Sequence, residues 1–355
     1  MRSTPPLGGI AYQSDQPSAA LAATLCQIGR AALLVSMLWD VSGCATRGEP
    51  VLTHAAQPQL ARSHFVTADG LILPVRSWWP TGRQPSGIIV ALHGFNDYAR
   101  AFEQPGRFLS QRGVAVISYD QRGFGNAPGR GWWAGAHAYA SDLLALIRQV
   151  RRRYPDLPIH VLGESMGGAV AMVALTETHA PAVSGLILSA PAVWSRDMMP
   201  WYQRAVLALF AATLPDLELT GSGLKIQASD NIAMLRGLGR DPLVIKGTRV
   251  DAIEGLTNLM DLAQARAARL RIPTLVLYGA RDQVIPRPPI DAVLEKLPRR
   301  PDSHVAIYPQ GYHLLLRDLQ ARLPLEDVLG WMTDHNARLV SGLERERGAV
   351  TGGGR

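Results

Sequence analysis

Largely apolar runs alternate along this chain with stretches that carry apolar residues at helical spacing. The runs Gly87–Leu92, Val114–Tyr119, 159–162, Gly185–Ser189, 273–279 and His304–Tyr308 predict strands. They lack the in–out alternation of a half-exposed sheet, as expected when both faces are covered. Residues 102–111, 138–154, 290–297 and 325–337 predict helices, and Leu143, Leu144, Ile147 and Val150 form one apolar stripe within the second. Strand and helix in turn predict an α/β protein with a mostly parallel central sheet and helices on both faces. Residues 64–67 and 71–79 flank Ala68-Asp69-Gly70 and predict a hairpin ahead of the first buried strand.

This rhythm stops between about 191 and 271. Trp194, Met198, Met199, Trp201, Tyr202, Leu207, Leu209 and Phe210 make the stretch apolar and aromatic, with further helices expected over 231–237 and 252–268. The pattern predicts a helical insertion over the carboxyl edge of the sheet. Such a stretch is either additional core or a cap lining an apolar pocket.

One junction points to chemistry. Gly163-Glu164-Ser165-Met166-Gly167 lies between the strand 159–162 and a small-residue helix from Ala169. Turning from strand to helix in so few residues strains the backbone at the serine, and glycines on either side leave room for neighbouring elements. The hydroxyl of Ser165 is thereby presented at the carboxyl end of the sheet, against the positive end of the following helix.

Composition adds limits. The chain has 355 residues, 47% of them apolar, and a formal charge of +7. The densest basic cluster, Arg151-Arg152-Arg153, ends a predicted helix, where cations suit the dipole. No zinc-finger spacing or basic–aromatic stripe accompanies it, so the charge does not point to nucleic acid. The sequence offers no H-E-x-x-H pattern, and neither a metal nor an organic cofactor is expected.

The N-terminus predicts an envelope protein. Arg30 precedes an apolar run, 31–39, of signal-peptide rather than membrane-spanning length. Val41-Ser42-Gly43-Cys44 follows and resembles a bacterial lipobox, which implies lipidation of Cys44. Asp40 and the long segment before Arg30 depart from that pattern. By that resemblance Ala45, rather than Asp, favours the outer membrane; a disordered N-terminal extension with a chance cysteine would instead place the protein in the cytoplasm. The organisation expected is a signal peptide over 1–43, a tether over 44–62, a domain over 63–336 and a flexible tail over 337–355. With Cys26 removed and Cys44 acylated, no thiol remains for a disulfide.

In chain order, His93-Gly94-Phe95-Asn96, the turn 119–125, Gly163-Glu164-Ser165-Met166-Gly167, the turn 279–286 and the segment 310–315 resemble motifs of the α/β-hydrolase superfamily, and within it of the monoacylglycerol lipase and lysophospholipase group of serine aminopeptidase S33-type hydrolases. The resemblance covers about 63–336. The G-x-S-x-G motif implies Ser165 as nucleophile. His93-Gly94-Phe95-Asn96 resembles the loop that supplies one oxyanion-hole amide, implying the Phe95 and Met166 N–H groups as donors, with His93 shaping the loop. Asp120-Gln121-Arg122-Gly123-Phe124-Gly125 resembles a bracing turn in which Asp120 and Arg122 are structural, although Asn126-Ala127-Pro128 replaces the usual Ser or Thr. Gly129-Arg130-Gly131-Trp132-Trp133-Ala134 mimics a dinucleotide fingerprint only superficially.

Asp282, in the turn after the strand 273–279, is implied as the catalytic acid, and His313, after His304–Tyr308, as the general base. The resemblance implies hydrolysis of a carboxylic ester of a single-acyl-chain lipid, a monoacylglycerol or a lysophospholipid. Three other readings stand beside it. An aminopeptidase would need insertion carboxylates to hold an amine, from Glu218, Asp230, Asp241, Asp251 or Glu254. A short-chain carboxylesterase would share the triad. A silent binding protein would not need it.

Overall fold

The computed structural model describes residues 56–221, 223 and 226–345. The apolar run 31–39, Cys26 and Cys44 lie outside the described residues. Among those described, no helix is long and apolar enough to cross a membrane.

A nine-stranded sheet organises the described residues. It is built from β1 (Gln59–Leu60), β2 (His64–Val66), β3 (Ile72–Trp78), β4 (Gly87–Leu92), β5 (Val114–Tyr119), β6 (Ile159–Glu164), β7 (Gly185–Ser189), β10 (Thr274–Gly279) and β11 (His304–Tyr308). The spatial order is β1-β2-β3-β5-β4-β6-β7-β10-β11. The chain enters by an antiparallel meander, β1 to β3, and β3 runs antiparallel to β5. Every other neighbouring pair is parallel.

Every residue of β4, β5, β6, β7 and β10 is buried, which is why these strands read as continuous apolar runs. Successive side chains nevertheless enter different cores. Ile88, Val90 and Leu92 join Leu143, Ile147 and Val170 on one face. Ile89 and Ala91 join Leu109, Val328 and Trp331 on the other. The first layer holds α2 (Ala136–Arg153) and α3 (Met166–Ala174), and the second holds α1 (Glu103–Gln111) and α8 (Arg322–Thr333). Helix α7 (Arg287–Lys296) lies between β10 and β11 in sequence. At the end of α2, the Arg151 guanidinium donates to the carbonyls of Pro155 and Leu157, so this basic run closes a helix.

The fold differs from the sequence reading at its edges. Helix α3 begins at Met166, three residues before the expected start, because the turn at Ser165 takes a single residue. β1 falls inside the stretch expected as tether, since Gln59–Leu60 pairs with β2. Part of the expected tail is also packed: Leu339 is buried, and Glu344 bridges to Ala306 of β11. Helix α8 starts and ends earlier than 325–337.

The insertion between β7 and β10 contains α4 (Trp201–Thr213), α5 (Ile232–Arg240) and α6 (Val250–Arg266). It also contains a short antiparallel ribbon, β8 (Glu218–Thr220) with β9 (Gly247–Arg249), that hydrophobic patterning did not announce. Core and cap divide by helix. Leu259, Met260 and Ala263 of α6 belong to the main core. Helix α4 is the reverse: Trp201 is 73% exposed and Leu209 60%, and Ala211 is its buried residue.

Candidate active site

Ser165 follows β6 directly, with φ 54° and ψ −116°, a conformation that side-chain-bearing residues rarely adopt. Hydrogen bonds hold it there: its N–H donates to the Ser189 carbonyl at 3.0 Å, and its carbonyl accepts from Ala192 N–H at 2.9 Å. The flanking glycines are dictated by contact. A Cβ on Gly163 would lie 2.5 Å from the Gly167 carbonyl, and one on Gly167 would collide with the Leu92 carbonyl. The spacing of the motif therefore records how closely β4, β6 and α3 converge.

The His-Gly loop abuts the serine. A Cβ on Gly94 would lie 3.3 Å from the Ser165 Cβ. His93 shapes this loop. Its Nε2 accepts from Gln121 N–H at 3.0 Å, leaving Nδ1–H to donate to the Gly94 carbonyl at 2.8 Å. Burial pushes its pKa down, consistent with a neutral ring in this tautomer. Phe95 packs edge-on against Phe124, with ring centroids 5.6 Å apart, and against Trp133 at 6.2 Å. Met166 opens α3, where a backbone N–H has no intrahelical partner.

Asp282 and His313 meet. His313 Nδ1 lies 2.8 Å from Asp282 Oδ2. An ionised carboxylate only accepts, so Nδ1 carries the proton and Nε2 is left as the basic nitrogen. The other oxygen, Oδ1, accepts from Val284 N–H at 2.8 Å and Ile285 N–H at 3.0 Å. The Asp282 side chain is wholly enclosed and that of His313 is 6% exposed. Ser165, Asp282 and His313 thus follow the carboxyl ends of β6, β10 and β11, on one edge of the sheet. The sheet register aligns these ends, with Glu164 opposite Ser189 and Gly279 opposite Tyr308.

The turn 120–125 is structural. Asp120 accepts from Ala99 N–H at 3.0 Å and Asn126 N–H at 2.9 Å. Arg122 binds Asp69 and Asp142 with two bonds each. Its guanidinium holds Asp69 down to about 2, whereas burial carries Asp142 up to about 6.

Sequence reasoning missed Arg317. It is 5% exposed, and its guanidinium donates to Asp97 at 2.8 Å and Glu164 at 2.6 Å. The only signal was a cation in the otherwise apolar turn Leu314-Leu315-Leu316-Arg317.

The cap is pinned to both flanking loops. Asn96 donates to Thr248 Oγ1 at 2.7 Å, and its carbonyl accepts from Ile245 N–H at 2.9 Å. Across the site, Leu314 N–H donates to the Ala228 carbonyl at 2.9 Å, and Ser229 Oγ to Asp318 at 2.5 Å. Several insertion carboxylates already have partners: Asp241 holds Tyr98 and Arg100, Asp251 holds Arg249, and Asp230 accepts from Leu319 N–H. A cavity of about 670 Å³ lies under α5, lined by Asp97, Tyr98, Asn231 and Arg317 among others, but Ser165 and His313 are not in its walls. The described residues hold no cluster of His, Cys, Asp and Glu suited to a metal ion.

An antiparallel entry leading into a parallel sheet, with Ser165, Asp282 and His313 on its carboxyl edge and an inserted cap, defines an α/β-hydrolase. Residues 83–320 match the profile of the family described as serine aminopeptidase, S33; the chain belongs to that family and is a hydrolytic enzyme. It is 28% identical over 274 residues to the monoglyceride lipase of Homo sapiens, covering 76% of this chain and 89% of that one. It is 27% identical over 284 residues to the monoacylglycerol lipase of Mycolicibacterium smegmatis, covering 77% and 97%. Among solved structures it resembles a soluble variant of the Saccharomyces cerevisiae monoglyceride lipase, with TM-score 0.66 and 20% identity over 82% of this chain and 99% of that one.

Proposed function

We propose that this protein hydrolyses carboxylic esters of single-acyl-chain lipids, monoacylglycerols or lysophospholipids, through Ser165, His313 and Asp282. The observation that carries the reading is the enclosed Asp282–His313 hydrogen bond on the sheet edge that also bears the strained Ser165. The relatives named as monoacylglycerol and monoglyceride lipases support the substrate class. So does the exposed apolar surface of α4, which suits work against lipid.

In this mechanism His313 Nε2 takes the Ser165 proton as Oγ attacks the ester carbonyl. The oxyanion is held by the N–H groups of Phe95 and Met166. Asp282 stabilises the imidazolium without taking its proton. Collapse of the tetrahedral intermediate breaks the bond to the alcohol oxygen, and His313 protonates the departing alcohol. Water, deprotonated by the same nitrogen, then attacks the acyl-Ser165 ester; the fatty acid leaves and the serine regains its proton.

The test is turnover of a chain-length series of monoacylglycerols, lysophospholipids and short nitrophenyl esters, with Ser165→Ala beside the wild type. Activity that rises with acyl length and is lost in the variant is expected. Turnover of short esters alone would withdraw the lipid substrate, and undiminished turnover in Ser165→Ala would refute the nucleophile.

A further inference from the structure

We propose that Arg317 is a positioning residue for the reaction at Ser165, locking together the three loops that carry nucleophile, oxyanion donor and base. The inference rests on the functional reading above and extends it to a side chain that touches none of the reacting atoms.

The geometry is specific. Arg317 Nη2 donates to Glu164 Oε1 at 2.6 Å, and Glu164 is the residue immediately before Ser165. Arg317 Nη1 donates to Asp97 Oδ2 at 2.8 Å, two residues beyond Phe95. Arg317 itself sits four residues after His313, in the short 3₁₀ turn Leu315–Arg317. The gripped Glu164 carboxylate also backs the His-Gly loop: a Cβ on Gly94 would lie 3.9 Å from its Oε1. Asp97 is fastened in turn, with Oδ1 accepting from Tyr98 N–H at 2.9 Å. The Arg317 carbonyl accepts from Asn231 of the cap at 3.0 Å.

Stability does not account for this cluster. Two carboxylates and one guanidinium leave a net negative charge in the interior, and all three side chains are at most 10% exposed. Among the described residues Arg317 Nε has no partner for its buried N–H, a further desolvation cost. Apolar residues of similar volume often serve as well or better in such places. A planar guanidinium does one thing they cannot: it fixes the separation and orientation of two carboxylates at once. Here that fixes β6's exit relative to the loop after β4, and both relative to the His313 turn. Misplacing reacting groups by about 1 Å costs on the order of 10²-fold in rate, so a clamp on these loops has a large kinetic effect.

The experiment compares the full chain as wild type, Ser165→Ala, Arg317→Lys, Arg317→Met and the triple variant Asp97→Asn/Glu164→Gln/Arg317→Met. Each is read for kcat, KM and the rate of labelling by a fluorophosphonate. In Arg317→Met, kcat and labelling rate are expected to fall together by about 10²-fold, with KM within about threefold of wild type. Arg317→Lys, which restores charge but not the fork, should recover about tenfold of that loss. The triple variant carries no unpaired buried carboxylate, so it answers the question if Arg317→Met fails to fold. A folded triple variant with wild-type kcat and labelling rate overturns the proposal, as does a loss confined to KM. Wild-type protein that is not labelled at Ser165 overturns the functional reading instead; labelling at Ser165 that Arg317→Met leaves unchanged overturns only the clamp.

Discussion

Replacing Asp282 by Asn tests the proposed chemistry with almost no change in shape. In the native site Oδ1 accepts two backbone N–H groups, from Val284 and Ile285, while Oδ2 accepts from His313 Nδ1. An asparagine must therefore put its carbonyl oxygen where Oδ1 was. The opposite orientation would face an NH₂ group with two N–H donors and leave both unpaired, at about 1–3 kcal/mol each. The side-chain NH₂ is thus forced towards His313 Nδ1, which can meet it only as an acceptor. The imidazole proton moves to Nε2, and the nitrogen that should take the Ser165 proton no longer has a lone pair. Loss of this tautomer costs on the order of 10⁴-fold in kcat, about 5.5 kcal/mol of transition-state stabilisation. The assay is kcat on a monoacylglycerol, with circular dichroism and a thermal melt to establish that Asp282→Asn is folded. A folded variant within tenfold of wild type would show that Asp282 does not set the histidine's tautomer, and the argument would fail at its root.

Two further outcomes follow from other parts of the molecule. His160 of β6 is buried against Trp331 and His335, and burial followed by the His335 charge brings its pKa down to about 3. Between its ordinary value near 6.5 and that lower one, the unfolded chain binds the proton and the native chain does not. Stability should then fall with falling pH by up to about 1.4 kcal/mol per unit across this window. Urea midpoints at pH 7 and pH 5 should differ less in His160→Phe than in wild type, and equal differences would exclude His160 as the cause. Ser165→Gly should abolish turnover yet raise the melting temperature by roughly 2 °C, since glycine relieves a φ of 54°; an unchanged or lower melting temperature would count against stored strain at Ser165.

How far the sequence carried this reading depended on whether a feature is local. The buried strands were legible because two covered faces demand continuous apolar runs, and the motif at Ser165 was legible because backbone convergence forces glycine at Gly163 and Gly167. Asp282 and His313 could be placed after strands, but only the fold brings them within 2.8 Å. Arg317 left almost no trace, since its partners Glu164 and Asp97 lie 153 and 220 residues away along the chain. The β8–β9 ribbon escaped because all three residues of β8 are exposed and carry no buried pattern. Helix α4 misled in the other direction. Its aromatic residues read as core or pocket lining, and the fold leaves Trp201 and Tyr202 exposed and Phe210 half-buried.

The bonds between the insertion and the loops beneath it bear on how such enzymes are recombined. Cut at residues 191 and 271, the insertion looks like a cassette, to be exchanged between relatives for a new substrate range. Its interior segments are nevertheless stitched to residues outside those cuts: Ile245 and Thr248 to Asn96, Ala228 to Leu314, Ser229 to Asp318 and Asn231 to Arg317. A chimera that moves the insertion alone severs the stitches on both sides of Ser165. One that also carries the loops around Asn96 and 314–318 transfers the lid together with the frame it rests on.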